Sequence, residues 1–155
     1  MAKKRRAAPK AKKPNKPRIL LVEARYYDHI AEMLLNGAMR VLEEAGAAVT
    51  KVTVPGALEI PPAIAIACER ERYDAAVALG CVIQGETFHF DIVAMQSARA
   101  LIDIAVAQRL PCGNGILTVD NEAQALARAQ NDKGGKGAEA ARAALALLAL
   151  KTGTQ

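Results

Sequence analysis

The chain reads as an α/β protein: a three-layer αβα sandwich on a four-stranded parallel sheet. Three observations predict this. After Pro17, apolar runs of β type alternate with runs of helical spacing almost to the end of the chain. The strands are separated by helix-length segments, which is what a crossover between parallel strands requires. Just over half of the 155 residues are apolar (52%), while aromatics make up only 3% and Trp is absent, so one aliphatic core of Ala, Leu, Ile and Val has to hold one domain together.

The elements follow in order. Ile19–Val22 is a short β-rich run. Asp28 is a plausible N-cap for a helix on which Ile30, Leu34, Ala38, Val41, Leu42 and Ala45 recur at helical spacing, with Gly46 as its C-terminal stop. Val49–Val54 is the second strand, closed by Pro55-Gly56. A shorter helix spans about Leu58 to Arg72, and Pro61 and Pro62 fit only its first turn. Ala75–Leu79 is the third strand, ending in a glycine-bearing turn. The third helix is long, about Phe88 to Arg109, with Ala94, Ala98, Leu101, Ile102 and Ala105 on one face, and Pro111 stops it. Gly115–Val119 is the fourth strand. A short helix opens at Asn121-Glu122 and runs through Arg128; Asn131–Gly137 is a polar, glycine-rich loop. The last helix covers about Lys136 to Leu150, with Ala141, Ala144, Leu145 and Leu148 inward. Right-handed crossovers place these helices on both faces of the sheet. In such sheets ligands bind at the carboxyl ends of the strands. Those ends carry Arg25-Tyr26, Pro55–Glu59, Gly80–Thr87 and Leu117–Asp120.

Charge separates a tail from the body. The net charge is +5, yet residues 1–18 hold nine Lys/Arg and no acid, which leaves twelve basic residues against sixteen acidic ones and a body near −4. Residues 1–17 are therefore expected to form a disordered basic tail ahead of a domain over residues 18–155. The tail lacks the apolar stretch of a signal peptide, and its nucleic-acid affinity would be non-specific and salt-sensitive. Three cysteines without C-x-x-C spacing and only two histidines point to a reducing, cytoplasmic setting and to no metal site or cofactor. No apolar run approaches the length of a membrane span. There is no internal repeat and no G-x-G-x-x-G. Gly134–Gly137 lacks the upstream glycine and the Ser/Thr of a P-loop.

The most informative stretch is A-A-V-A-L-G-C-V-I-Q-G-E-T-F-H-F-D, Ala75–Asp91. A strand leads into Gly85-Glu86-Thr87 at the start of a helix, where unpaired backbone N–H groups make an anion site, and His89 sets a proton carrier beside it. An ordinary βα turn with a surface histidine fits the spacing equally well. His29, on the first helix, reads as a satisfied or exposed side chain.

Four segments carry a resemblance: V-P-G-A-L-E-I-P (Val54–Pro61), G-C-V-I-Q-G-E-T-F-H-F-D (Gly80–Asp91), G-N-G-I-L-T-V-D-N-E-A-Q-A (Gly113–Ala125) and K-G-A-E-A-A (Lys136–Ala141). In order and spacing, from about Arg18 to Leu150, they resemble the 6,7-dimethyl-8-ribityllumazine synthases, enzymes of flavodoxin-like fold. The resemblance implies condensation of 5-amino-6-(D-ribitylamino)uracil with 3,4-dihydroxy-2-butanone 4-phosphate, the penultimate step of riboflavin biosynthesis. The substrate's own amine is the nucleophile there, so the enzyme supplies positioning, proton transfer and phosphate binding.

By the same resemblance, His89 is the proton shuttle. Tyr26 stands where a Phe or Trp usually stacks on the pyrimidine. Ala57, Leu58 and Glu59 hold the ribityl chain; Cys81, Val82 and Ile83 read the pyrimidine edge through backbone groups; Asn114 reaches the ring from a neighbouring subunit. Glu86 and Thr87 form the phosphate turn, and Arg128 and Lys136 are its cations, although on spacing alone Arg128 is a solvated helix-end arginine. Two departures stand out. Gln84 replaces the arginine of V-I-R-G, and Gln130–Gly135 lacks the glycine-rich pattern of shell-forming members, which favours a free homopentamer with shared active sites over a sixty-subunit assembly. The expected partners are small-molecule substrates and further copies of the chain. The competing reading is a flavin- or lumazine-binding or shell-forming member of the fold without catalysis.

Overall fold

The computed structural model of the protein describes residues 15–155; residues 1–14, most of the expected tail, lie outside the described residues, and residues 15–17 have no regular secondary structure. Strands β1 (Arg18–Ala24), β2 (Ala48–Val54), β3 (Ala75–Ile83) and β4 (Cys112–Val119) form one parallel sheet in the order β2-β1-β3-β4. Helices α1 (Asp28–Glu44), α4 (Glu122–Ala129) and α5 (Gly135–Thr152) cover one face; α2 (Ile60–Arg70), entered through a 3-10 turn at Ala57–Glu59, and α3 (His89–Gln108) cover the other.

The period-2 pattern of the strands builds this arrangement. Ile19, Leu21, Ala75, Val77, Leu79, Leu117 and Val119 point into the α1/α4/α5 layer, and Leu20, Val22, Ala24, Ala76, Ala78 and Ile116 into the α2/α3 layer. Both faces of β1 are fully buried, so a continuous apolar run replaces the alternation seen in a one-sided sheet. Each fully buried Leu or Ile contributes about 1.5–3 kcal/mol, and with no Trp and few aromatics the stability rests on many such side chains.

Several expectations are corrected. The third strand does not end at Leu79. Gly80 stays in the ladder opposite Ile116, and β3 runs on to Ile83. Asp28 is the first residue of α1 rather than its cap; Tyr27 holds the cap position and makes no side-chain cap bond. The loop Asn131–Gly137 is shorter than expected, because α5 begins at Gly135: Asn131 Oδ1 accepts the N–H groups of Lys133 (2.9 Å) and Gly135 (3.0 Å) and folds the turn back on itself. On α3, Val93, Ser97 and Leu101 form the buried face, whereas Ile102 is exposed. Asn121 does cap α4, accepting from Gln124 N–H at 2.9 Å.

The C-terminus of α3 carries a strained residue. Arg109 adopts φ 49, the left-handed region, so that Leu110 N–H can reach Ala105 C=O at 3.0 Å, and Lys151 Nζ donates to the Arg109 carbonyl at 2.7 Å. Neither bond uses the Arg109 side chain. Arg109→Gly is therefore expected to raise stability by about 0.5–1 kcal/mol, read as a higher thermal midpoint. A lower midpoint would mean that the arginine side chain itself holds the corner.

Candidate active site

The chain leaves β1 on one side to reach β2 and later crosses to β3 on the other, so the carboxyl ends of these three strands open a crevice. A cleft of about 490 Å³ lies there. One wall is Tyr26 and Tyr27, in the three-residue link from β1 to α1. A second is Pro55–Glu59, after β2. The floor is Cys81, Val82 and Ile83, the last residues of β3. Gly85, Thr87, His89, Phe90 and Val93, from the turn into α3 and its first turns, close the remaining side.

Local chemistry explains each wall. Tyr26 is 76% exposed, with its ring edge-on to Tyr27 (centroids 4.9 Å, planes at 69°), so an aromatic face remains free for a ligand. Tyr27 packs into the core beside Cys81, and burial pushes its phenol above the usual range. The 3-10 turn after Gly56 is held by Glu59 N–H to Gly56 C=O at 3.1 Å; it buries Ala57 and leaves Leu58 and Glu59 at the surface. At the head of α3, Phe88 has no side-chain oxygen to cap the helix, and Thr87 Oγ1 accepts from His89 N–H at 3.3 Å. This 20-residue helix starts at the cleft wall, so the positive end of its dipole lies beside the cleft. Burial pushes the Cys81 thiol up to about 11, so it is protonated at neutral pH and is no nucleophile.

The structure thus brings together Tyr26, Ala57, Leu58, Glu59, Cys81, Val82, Ile83, Thr87 and His89. Other expected residues stand elsewhere. Glu86 is exposed in the turn but does not line the cleft. Asn114, on β4, accepts from Ile116 N–H at 2.9 Å. Arg128 is exposed on the last turn of α4 and donates to Gln124 C=O at 3.1 Å, and Lys136 pairs with Glu139 at 3.1 Å. Nor does Leu117–Asp120 reach the cleft: Asp120 N–H is taken by Gln124 Oε1 at 2.9 Å. His29 is exposed, as expected, and its Nε2 lies 2.6 Å from Glu122, tying α1 to α4. Tyr27 and Phe90 were missed as lining residues. Their only signal was adjacency to Tyr26 and His89. Among the described residues, no group of three potential ligands could hold a metal ion, and no helix is long and apolar enough to cross a membrane.

Comparison with known proteins gives the family of the chain. The sequence model of the 6,7-dimethyl-8-ribityllumazine synthase family matches residues 16–152. The chain is similar to the 6,7-dimethyl-8-ribityllumazine synthase of Methylobacterium radiotolerans, 61% identical over 136 residues that cover 83% of each chain. It is also similar to that of Agrobacterium fabrum, 57% identical over 129 residues, covering 78% of this chain and 87% of the relative. A third such synthase, from Azorhizobium caulinodans, is 58% identical over 124 residues, covering 77% of this chain and 76% of the relative.

Proposed function

The chain belongs to the 6,7-dimethyl-8-ribityllumazine synthase family, and on that premise we propose how its residues divide the work. It is a transferase that condenses 5-amino-6-(D-ribitylamino)uracil with 3,4-dihydroxy-2-butanone 4-phosphate, with loss of phosphate and water, in riboflavin biosynthesis. A non-catalytic role is not favoured, since the relatives are named for the synthase reaction.

The pyrimidine stacks on Tyr26 and meets the backbone of Cys81, Val82 and Ile83. The ribityl hydroxyls meet Ala57, Leu58 and Glu59. The phosphate sits at the Glu86-Thr87 turn, where backbone N–H groups and the Thr87 hydroxyl face it and the Glu86 carboxylate turns away. His89 moves protons as the substrate amine attacks the ketone and water leaves; holding both partners in place is the larger part of catalysis.

One observation carries this reading: aromatic wall, polyol loop, helix start and histidine line a single cleft, while Arg128, Lys136 and Asn114 lie outside it. Those three therefore serve the cleft of the next subunit. The exposed side of α3 supports a ring. Phe88, Ile92, Met95, Ile102 and Val106 are all exposed and, with Arg99, recur at alternating steps of four and three residues, the spacing of a helix–helix seam. The expected small residues Ala94, Ala98 and Ala105 are half-buried beside it. The ring is a pentamer without a surrounding shell, and a cytoplasmic setting fits three cysteines that are all unpaired.

The test is an absorbance assay of lumazine formation with both substrates. His89→Ala should slow turnover by an amount at or below the low end of the roughly 10²–10⁴-fold range of acid–base groups, because amine–carbonyl condensation is already easy in water. Dissociating His89→Ala and Arg128→Ala proteins and reassembling them together should restore activity above either alone. No recovery, in mixed assemblies verified by light scattering, would place the whole site within one chain.

A further inference from the structure

The link that carries Tyr26 is only three residues long, and its geometry is set from outside the cleft. Arg25 N–H donates to Val54 C=O at 3.4 Å, at the last residue of β2. Its guanidinium then spreads in three directions. Nη1 donates to both oxygens of Glu23 (3.2 and 3.1 Å), Nε to Asp28 Oδ1 (2.7 Å), and Nη2 to Glu32 Oε2 (2.8 Å) and weakly to the Asp28 carbonyl (3.4 Å). Glu23 is a charged residue sealed in the fold, 1% exposed, at the end of β1. Its other contacts come from β2, the Thr53 hydroxyl at 3.0 Å and Lys51 Nζ at 3.5 Å. Asp28 and Glu32 lie on the first two turns of α1. One planar fork thus joins the end of β1 to the start of a helix that has no side-chain cap of its own, while the Arg25 backbone N–H and the partners of Glu23 tie both to β2. Hydrogen bonds to Asp28, then to Glu32, hold the guanidinium pKa above its ordinary value.

Neither the Arg25 side chain nor its three carboxylate partners line the cleft, yet Tyr26 and Tyr27 occupy the two positions between Arg25 and Asp28, and Pro55 follows the strand that holds Glu23 from the other side. We infer that Arg25 is a positioning residue: by clamping Glu23, Asp28 and Glu32 it fixes the angle of the Tyr26 ring against the Pro55–Glu59 wall, and so sets affinity for the planar heteroaromatic substrate. The inference rests on the reading of Tyr26 as the stacking platform. A surface ion pair in isolation is worth little, but this fork closes on a buried carboxylate, which cannot swing away to compensate.

The experiment titrates each substrate separately against the assembled protein, with thermal unfolding read on the same samples. Tyr26→Ala tests the underlying reading, and it should weaken the pyrimidine and not the butanone phosphate. Arg25→Gln should weaken pyrimidine binding about tenfold and leave the butanone phosphate within about twofold, as expected for a misaimed group rather than a lost contact. Because Arg25→Gln leaves Glu23 short of a partner and lowers stability, Asp28→Ala/Glu32→Ala provides the second arm. Both carboxylates are exposed, so this pair of changes should keep the unfolding midpoint and still weaken the pyrimidine several-fold. If Tyr26→Ala weakens the pyrimidine and neither clamp variant does, the inference is overturned and the site reading stands. Equal weakening of both substrates by the clamp variants also overturns it, in favour of general loosening. If Tyr26→Ala leaves the pyrimidine unaffected, the site reading falls, and the inference with it.

Discussion

Gly137→Ala is expected to remove about 3 kcal/mol or more of stability, a large share of the roughly 5–15 kcal/mol that a domain of this kind possesses. A Cβ on Gly137 would overlap the Leu34 carbonyl oxygen on α1, with the Leu34 carbonyl carbon at 2.7 Å and Cα at 3.0 Å. The obstacle is backbone in the middle of a helix, so no rotamer change relieves it. The crossing is close from both sides: a Cβ on Gly37 of α1 would strike the Gly134 carbonyl and lie 3.2 Å from Ala138 N. Relief requires α5 to move off α1, which would loosen the buried contacts of Leu34, Ala38, Ala138 and Ala141. Gly46→Ala is the matched control. Its Cβ would meet nothing within 4 Å, and only its φ of +71 is unfavourable, so about 1 kcal/mol is the expected loss. Denaturant midpoints of the two variants make the comparison; equal losses would show that the helices part cheaply.

Arg128→Ala is expected to weaken the butanone phosphate about 10- to 150-fold, the equivalent of the roughly 1.5–3 kcal/mol of a charged, forked hydrogen bond, while the pyrimidine is little changed. Within its own chain Arg128 makes no ion pair among the described residues, and its side chain bonds only a carbonyl of its own helix. Truncation should therefore leave the unfolding midpoint close to that of the native chain. The expected selectivity follows from charge. Only one of the two substrates carries a phosphate, and a guanidinium stays cationic at any working pH. Separate titration of the two substrates decides the matter. Equal weakening of both would make Arg128 a structural residue of α4.

Much of this was legible along the chain because it is local. Periods of 2 and 3.6 reveal themselves within a few residues. They located all four strands and the helices between them, and Asn121 announced the cap of α4. The motif segments likewise lie in continuous stretches, and two of them, Val54–Pro61 and Gly80–Asp91, supply eight of the nine expected site residues that meet in the cleft, Tyr26 being the ninth. Reading broke down wherever a distant neighbour decided. Gly80 looks like a turn residue by type. In the fold a Cβ there would make ordinary contacts with Ile60, Ala24 and Ile116, and the ladder to β4 carries the strand straight past it. Asp28 is a different case: it looks like a cap, but Arg25, only three positions away, claims its carboxylate, so side-chain direction rather than distance decided.

By itself, then, the sequence determined the parallel α/β order, the aliphatic core, the strand-end segments and the family, since each is written in residue types at short spacing. Only the tertiary structure decided how far β3 extends, that Glu23 is buried beneath a guanidinium shared with α1, that Tyr27 walls the cleft beside Tyr26, and that Arg128, Lys136 and Asn114 stand outside it. The physical reason is common to all of these. Ladder extent, burial and the aim of a side chain depend on packing between separate strands and helices; even where partners are close along the chain, as Arg25 is to Glu23, Asp28 and Glu32, residue types do not fix which way the side chains turn.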